Sequence, residues 1–389
     1  MAWSAKSVME QRIEFVVRVA RREASISALC EEYGISRQAG HYWLRRYRAA
    51  ESFTALQTRS RRPHHCPSQT AQDAELAVER VRRQYGWGAR KIQVLLAEEG
   101  VVLTEPTINR ILRRRGLIAP REVQGQATGR FARVACNQLW QMDFKGEYQL
   151  VEGKCYPLML VDDHSRYLLG LWPLPNQRAE GVKAALQGCF REGGVPQELL
   201  LDRGVPWWST TNGHGLTQLS VWVMKQDVAL IYGRPYHPQT HGKVERLNRT
   251  LKERTKLEGA PADLPAWQQW GVRFEYEYNH VRPHEALGMG RPAQVYTRAN
   301  LRPYQEQPLE YDYGQVEVRR LNGQGCVTHG NRRYFVCEAL ANERVRVDEV
   351  DHLLVVAFRA TAVREIDLRT GRSRALLRPA QSARMESMS

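Results

Sequence analysis

The chain has 389 residues, 42% of them hydrophobic, with 57 Lys and Arg against 42 Asp and Glu and a formal net charge of +15. That length predicts two to four domains with real cores. The sequence holds no uninterrupted apolar run of membrane-spanning length and no apolar core near its start, which predicts a soluble, intracellular protein with no membrane association.

The seven cysteines are scattered and include no Cys-x-x-Cys pair, so neither a disulfide framework nor a zinc ribbon is expected. His64-His65-Cys66 is too compact for zinc-finger spacing. The charge is uneven: the first 137 residues hold 24 Lys and Arg against 13 acids, a localised excess of the kind that meets nucleic acid.

Val8, Ile13, Phe15, Val16 and Val19 give residues 7–21 the pattern of an amphipathic helix. Ser25 can cap a short helix running to Tyr33. Gly34 turns the chain, and Ser36 can cap a second helix running to about Tyr47. With Trp43 and Leu44 inward and Arg37, Gln38, His41, Arg45 and Arg46 outward, this predicts a helix-turn-helix whose second helix contacts DNA. Residues 59–65 form a basic linker without periodicity, where Arg61 and Arg62 can follow phosphates. A second helical unit follows, with helices at 74–85, 89–99 and 107–115. The last is opened by Thr104-Glu105-Pro106 and carries Arg110, Arg113 and Arg114 as further candidate DNA contacts. Residues 117–134 read as an irregular link.

From Gln138 the period changes to that of strands. Residues 139–144, 156–161 and 167–172 predict an antiparallel meander, its second turn made by Asp162-Asp163-His164-Ser165-Arg166. A helix at 178–192, a Leu-rich strand at 198–201, a helix at 216–225 and a strand at 228–232 come next. Then comes a helix started by Thr240 or His241. Its inner face is Val244, Leu247 and Leu251; Glu245, Asn248, Arg249 and Lys252 share the other. This order is that of an RNase H-like α/β fold. A helix at 264–280 ends in Asn279-His280-Val281-Arg282-Pro283-His284. Beyond about 305, short strands at 316–318, 326–328, 334–337, 345–347 and 353–358, with Asn322-Gly323 as a hairpin signal, predict a small all-β barrel and then a disordered tail. The expected divisions are 1–66, 67–134, 135–300 and 301–389.

Three carboxylates stand out. Asp143 lies inside an apolar strand, where an unpartnered carboxylate is costly. Asp202 closes the Leu-rich strand at the loop Arg203-Gly204-Val205-Pro206, and Glu245 sits in the first turn of its helix. In the expected fold the two strands are neighbours and the helix packs beside them, so the three converge. Such a set of hard oxygen ligands suits Mg²⁺ or Mn²⁺, and two such ions serve phosphoryl transfer. Asp162 and Asp163 read instead as stabilising their turn.

The stretches Trp140–Gly146, Asp162–Arg166, Asp202–Trp207, His237–Arg246 and Tyr278–His284, with Gly34-Ile35-Ser36-Arg37 and the 60–65 linker, resemble bacterial insertion-sequence transposases of the DDE type, whose core is shared with retroviral integrases. The resemblance covers about residues 7–300. It implies that Asp143, Asp202 and Glu245 are the metal-binding catalytic triad, holding two Mg²⁺ or Mn²⁺ ions. It implies DNA partners, namely element ends and target, contacted also by Lys243, Arg249 and Lys252, and a homo-oligomer assembled on DNA in the bacterial cytoplasm. The sequence departs from the family in two places. More residues separate Asp202 from Glu245 than in integrases, the surplus falling near residues 208–217, and Arg203 stands where Asn is usual. An inactive, transposase-derived DNA-binding regulator and a metal-dependent nuclease are the alternative readings.

Overall fold

The computed structural model describes residues 6–59, 70–118, 132–209, 215–233 and 242–379. The chain divides into two compact units, Met1–Thr70 and Ala71–Ser389.

In the first unit, α1 (Val8–Ala20) opens with a capping box between Ser7 and Glu10, and Ser25 and Ser36 cap α2 (Ile26–Glu32) and α3 (Arg37–Ala50). The Ser25 and Ser36 caps lie where the sequence put them. Phe15, Val16, Leu29, Cys30, Leu44 and Leu56 form the core. Gly40 lets the helices close on one another: a Cβ there would come within 2.4 Å of the Cys30 sulfur. Trp43 was expected inside but is only partly buried. Its faces are covered by the guanidinium groups of Arg12, 3.8 Å from the ring centroid, and Arg46, 5.0 Å away.

The second unit begins with α4 (Gln72–Tyr85), α5 (Ala89–Glu98) and α6 (Glu105–Arg114), the last capped by Thr104. They close over Val78, Val81, Trp87, Ile92, Leu96, Ile108, Ile111 and Leu112.

The central sheet contains β1 (Leu139–Phe144), β2 (Tyr148–Gln149), β3 (Lys154–Asp162), β4 (Leu168–Leu174), β5 (Glu198–Leu201) and, further along the chain, β8 (Ala229–Tyr232). Its order is β2-β3-β1-β5-β8, with β4 also on β3. The pairs β1–β3 and β3–β4 are antiparallel, and β1–β5 and β5–β8 are parallel. Between β4 and β5 runs α7 (Ala179–Gly193), whose Val182, Leu186 and Phe190 pack on one face of the sheet. The surplus residues before Glu245 include a small hairpin, β6 (Trp208–Ser209) with β7 (Gly215–Leu216), ahead of α8 (Gln218–Lys225). The other face is covered by α9 (Gly242–Glu258) and α10 (Leu264–Tyr276), through Val244, Leu247, Leu251, Trp267, Trp270 and Phe274. The start expected for α9 at Thr240 or His241 lies outside the described residues.

The helix expected to reach residue 280 stops at Tyr276 and continues as a single π-helical turn, Glu277–Val281. Within that turn, the Asn279 side chain accepts from the Leu168 backbone N–H and donates to its carbonyl, both at 2.8 Å. These bonds tie the turn to β4, and a regular helix would present a different residue there.

The α4–α6 unit rests on α9. Arg254 stacks over the Tyr85 ring at 5.6 Å and donates to the Gln84 carbonyl, while Val281 packs against the core of the helical unit.

The C-terminal strands are β9 (Val318–Arg320), β10 (Cys326–His329), β11 (Arg332–Phe335), β12 (Arg344–Val350), β13 (Leu353–Phe358), β14 (Thr361–Asp367) and β15 (Ser373–Pro379). The expected barrel is not what they form. Among the described residues they make an open sheet, β15-β14-β13-β12-β9, and a separate β10–β11 hairpin. Asn322-Gly323 does not close a hairpin either: it joins β9 to β10, which belong to different sheets. There the Asn322 side chain accepts from the N–H groups of Gln324 and Cys326 at 2.9 Å. Apolar residues of this region, such as Val345, Val347 and Phe358, share one core with the α7 side of the central sheet. Among the described residues no helix is long and apolar enough to cross a membrane.

Candidate active site and nucleic-acid interface

The β1–β5 register pairs Gln141 with Leu200. Continued by two residues, it sets Asp202 beside Asp143 with both side chains on the same face of the sheet. Asp202 accepts from the Gly204 backbone N–H at 3.1 Å. A Cβ on Gly204 would sit 2.9 Å from its carboxylate, so only glycine leaves that group uncrowded. The third carboxylate, Glu245, is exposed on the first turn of α9. Three residues on, Asn248 donates from Nδ2 to Asp143 Oδ2 at 2.8 Å and fixes the carboxylate across the β1–α9 junction.

Burial raises the Asp143 pKa to about 6. The negative charges of Asp202 and Glu245 add to the rise, and the Asn248 hydrogen bond opposes it. Asp143 therefore lies in the field of both other acids. Among the described residues, though, no three His, Cys, Asp or Glu side chains close around a common point as a finished metal cluster. The donor chemistry suits a hard divalent cation: the three groups are carboxylates, and their mutual repulsion at Asp143 is what a cation relieves.

Asp162 and Asp163 do more than hold a turn. Asp162 is fully buried, accepting from the Asn137 N–H at 2.7 Å and from the Ser165 N–H and hydroxyl at 2.8 and 2.7 Å. Asp163, equally buried, accepts from Gln141 Nε2 and the Arg133 N–H, each at 2.7 Å, and forms an ion pair with Lys243. Lys243 is thus held inside the protein at the start of α9, where the sequence suggested a DNA contact. A lysine two residues before Glu245 gives no sign in sequence that its partner is Asp163, in the turn after β3.

Arg203 stacks over the Trp208 ring at 5.0 Å, which engages its cation with an aromatic face in place of the carboxylates.

Of the other candidate DNA contacts, Arg37, Gln38, His41 and Arg45 are exposed on α3, Arg110 and Arg113 on α6, and Arg249 and Lys252 on α9. Two others are occupied within the fold. Arg46 packs on Trp43 and donates to the Gln57 carbonyl at 3.1 Å. Arg114 forms an ion pair with the buried Glu75 of α4. Arg61 and Arg62 lie outside the described residues. The Asn248–Asp143 bond was missed as a positioning contact, although the i, i+3 spacing from Glu245 was its signal.

Two integrase core domain models match residues 133–238 and 226–292, a homeodomain-like domain matches 39–112 and a helix-turn-helix domain matches 11–64. The chain is similar to the insertion element IS407 uncharacterized 31.7 kDa protein of Burkholderia multivorans, at 26% identity over 232 residues, covering 57% of this chain and 77% of that one. It is also similar to the Pro-Pol polyprotein of feline foamy virus, at 29% identity over 114 residues, which are 29% of this chain and 9% of the polyprotein. Among solved structures, the simian T-cell lymphotropic virus intasome in complex with PP2A regulatory subunit B56 gamma aligns at 14% identity and a TM-score of 0.38, covering 72% of this chain and 91% of that one. The dimeric HTLV-2 integrase catalytic core domain in complex with magnesium aligns at 17% identity and a TM-score of 0.31, covering 42% and 97%.

Proposed function

The chain is of the transposase type, an integrase core joined to helix-turn-helix domains, and from that premise we propose that it binds the inverted-repeat ends of its element and moves them into target DNA. In the first step water adds to a phosphorus at each end and the 3′-oxygen leaves as a free hydroxyl. In the second, that hydroxyl attacks a target phosphorus and displaces the target's own 3′-oxygen. No covalent protein–DNA bond forms. Two ends must meet, so the working form is an oligomer on DNA.

Asp143, Asp202 and Glu245 would hold Mg²⁺ or Mn²⁺, two ions in this reading. When bound, such ions supply Lewis-acid activation of the attacking and leaving oxygens. The rest falls to the chain. Asn248 orients the Asp143 carboxylate, Gly204 keeps space beside Asp202, and the Asp163–Lys243 pair fixes the first turn of α9 two residues before Glu245. Arg249 and Lys252, one and two turns beyond Glu245, offer charge to phosphates running along the helix. Arg37, Gln38, His41, Arg45, Arg110 and Arg113 are placed to read or grip duplex DNA.

The observation that carries this reading is the meeting of three elements at Asp143: the β1–β5 register that brings Asp202 alongside it, and the Asn248 bond that ties it to the helix carrying Glu245. The test is a strand-transfer reaction with duplexes carrying the element's terminal sequences. Metal-dependent joined products are expected. Cut but unjoined DNA would identify a nuclease, and specific binding without cutting a regulator.

A further inference from the structure

The segment after α10 carries charge that the catalytic site does not use. Arg282 and His284 are 9% and 6% exposed. Arg282 stacks over Tyr278 at 5.6 Å, with His284 edge-on to the same ring at 6.3 Å. Arg282 also donates to Thr250 of α9 at 3.3 Å. Arg246, Thr250 and Glu253 lie at i, i+4 and i+7, so Arg246 borders Arg282 on one face of α9. Lys91 enters from α5 and Arg166 from the β3–β4 turn; burial, with the charges of Arg282, Arg166, Lys91 and Arg246 adding to it, lowers the His284 pKa to about 3 and holds its imidazole neutral.

Acids near this group do not match it. Glu253, Glu285 and Glu277 stand beside Arg282, the first two also beside Lys91, and Asp162 and Asp163 beside Arg166; Glu277 is already paired with Arg254 at 2.9 Å. Asp162, however, is spent on backbone and serine donors and Asp163 on Lys243. Three buried nitrogens here, Arg166 Nη1, Arg282 Nε and His284 Nδ1, find no hydrogen-bond partner in the protein. Buried polar atoms without partners are uncommon in native structures, and three of them clustered among cations point to an absent partner. Here that partner must be anionic and rich in acceptor oxygens.

We infer that Lys91, Arg166, Arg246, Arg282 and His284 form a phosphate site, and that in the DNA complex it takes a backbone phosphate. The DNA part rests on the transposase reading; the phosphate site itself does not. Arg246 follows Glu245 and is exposed, so the cluster reaches the surface next to the active-site helix. Lys91 belongs to the second helical unit. A strand whose phosphate sits here passes from the carboxylates to that unit.

The experiment uses the full chain and inorganic phosphate, titrated calorimetrically at constant ionic strength with chloride as the balancing anion. Saturable binding is expected, weakened ~10-fold by Lys91→Met, which keeps the aliphatic stem and loses one charge-assisted hydrogen bond. Arg282→Lys keeps the charge of the buried position and loses Nε; it should weaken phosphate similarly while circular dichroism shows an unchanged fold. If that variant is misfolded, Lys91→Met decides alone. Absence of saturable phosphate binding in the wild type, or identical binding in folded variants, overturns the site. The second arm is binding of terminal-sequence DNA across a salt series. The slope of log K against log salt should fall by about one in Lys91→Met. Phosphate binding with an unchanged DNA slope would mean that the site takes a free anion, overturning its DNA role. A wild type that binds phosphate but no DNA would retain the site and refute the transposase reading.

Discussion

The ammonium group of Lys243 rests on the carboxylate of Asp163, a residue with no solvent exposure. The pair joins the first turn of α9 to the end of β3, and burial acts to lower the lysine pKa while the Asp163 hydrogen bond raises it. Breaking a buried pair by removing one partner costs about 3–5 kcal/mol, because the other charge stays buried. Lys243→Met should therefore lower unfolding free energy by roughly that amount and leave the salt slope of DNA binding unchanged. A lower slope with unaltered stability in urea titrations would make Lys243 a phosphate contact after all.

The carboxylates should be separately required. Asp143→Asn, Asp202→Asn and Glu245→Gln are each expected to abolish strand transfer while DNA binding persists. Any one of them joining DNA at the wild-type rate would remove that residue from the triad. Asn248→Ala should lower joining by roughly 10–100-fold, the range for a residue that orients a metal-binding group, with Mn²⁺ affinity reduced in parallel.

Arg249 and Lys252 are exposed on the face that carries Glu245. Replacing both with Ala should flatten the salt dependence of DNA binding by about two units, one per lost phosphate contact. Replacing both with Glu should abolish joining in a protein whose circular dichroism is unchanged. A double-Glu protein that joins normally would place the substrate elsewhere.

On α3 the exposed and packed arginines should separate. Arg37→Ala or Arg45→Ala should cost about 1–3 kcal/mol of binding to terminal-repeat DNA if they reach base edges, measured against random duplex. Arg46→Ala should instead lower stability by ~1 kcal/mol through its lost packing on Trp43.

Glu275 supplies a pH test remote from the carboxylate triad. Burial, with Glu192 adding repulsion, raises its pKa to about 7. The folded state thus holds this proton at pH values where the unfolded chain has released it. The resulting stability is complete below the ordinary glutamate value of 4.5 and is lost as pH rises through about 7. Glu275→Gln should match the wild type at pH 4 and exceed it at pH 8, by at most ~3 kcal/mol at ~1.4 kcal/mol per pKa unit. Partial exposure will reduce that figure. Equal stability at both pH values would contradict the assignment.

Much of the core could be read from local signals. Leu139–Phe144 and Glu198–Leu201 have the composition of buried strands, and Ser25, Ser36 and Thr104 are standard helix caps. Asp143 and Asp202 were legible because one interrupts and the other ends an apolar strand, and Glu245 because it opens a helix as a lone acid among bases. What escaped depends on partners distant in the chain. Lys243 and Arg114 have the local look of surface cations, and only the fold brings them to Asp163 and Glu75. The strands Thr361–Asp367 and Ser373–Pro379 were missed because charged residues break their apolar pattern. Arg364, for one, is buried against Phe335, with its guanidinium 5.6 Å from the ring. Asn322-Gly323 has the right residues for a tight hairpin, but the strands on either side pair elsewhere.

One helix carries two attachments. Gly242–Glu258 has 17 residues, about 25 Å at 1.5 Å per residue. Glu245 lies near one end; near the other, Arg254 holds Tyr85 and Gln84 of the α4–α6 unit. Homologous exchange that grafted a foreign α4–α6 unit onto this core would inherit a mismatched seat unless the last turns of α9 came with it. Changes in recognition specificity are then expected to travel through descent as a package, with substitutions on α4–α6 accompanied by compensating ones around Arg254 and around Leu257, which faces Gly86 at the end of α4.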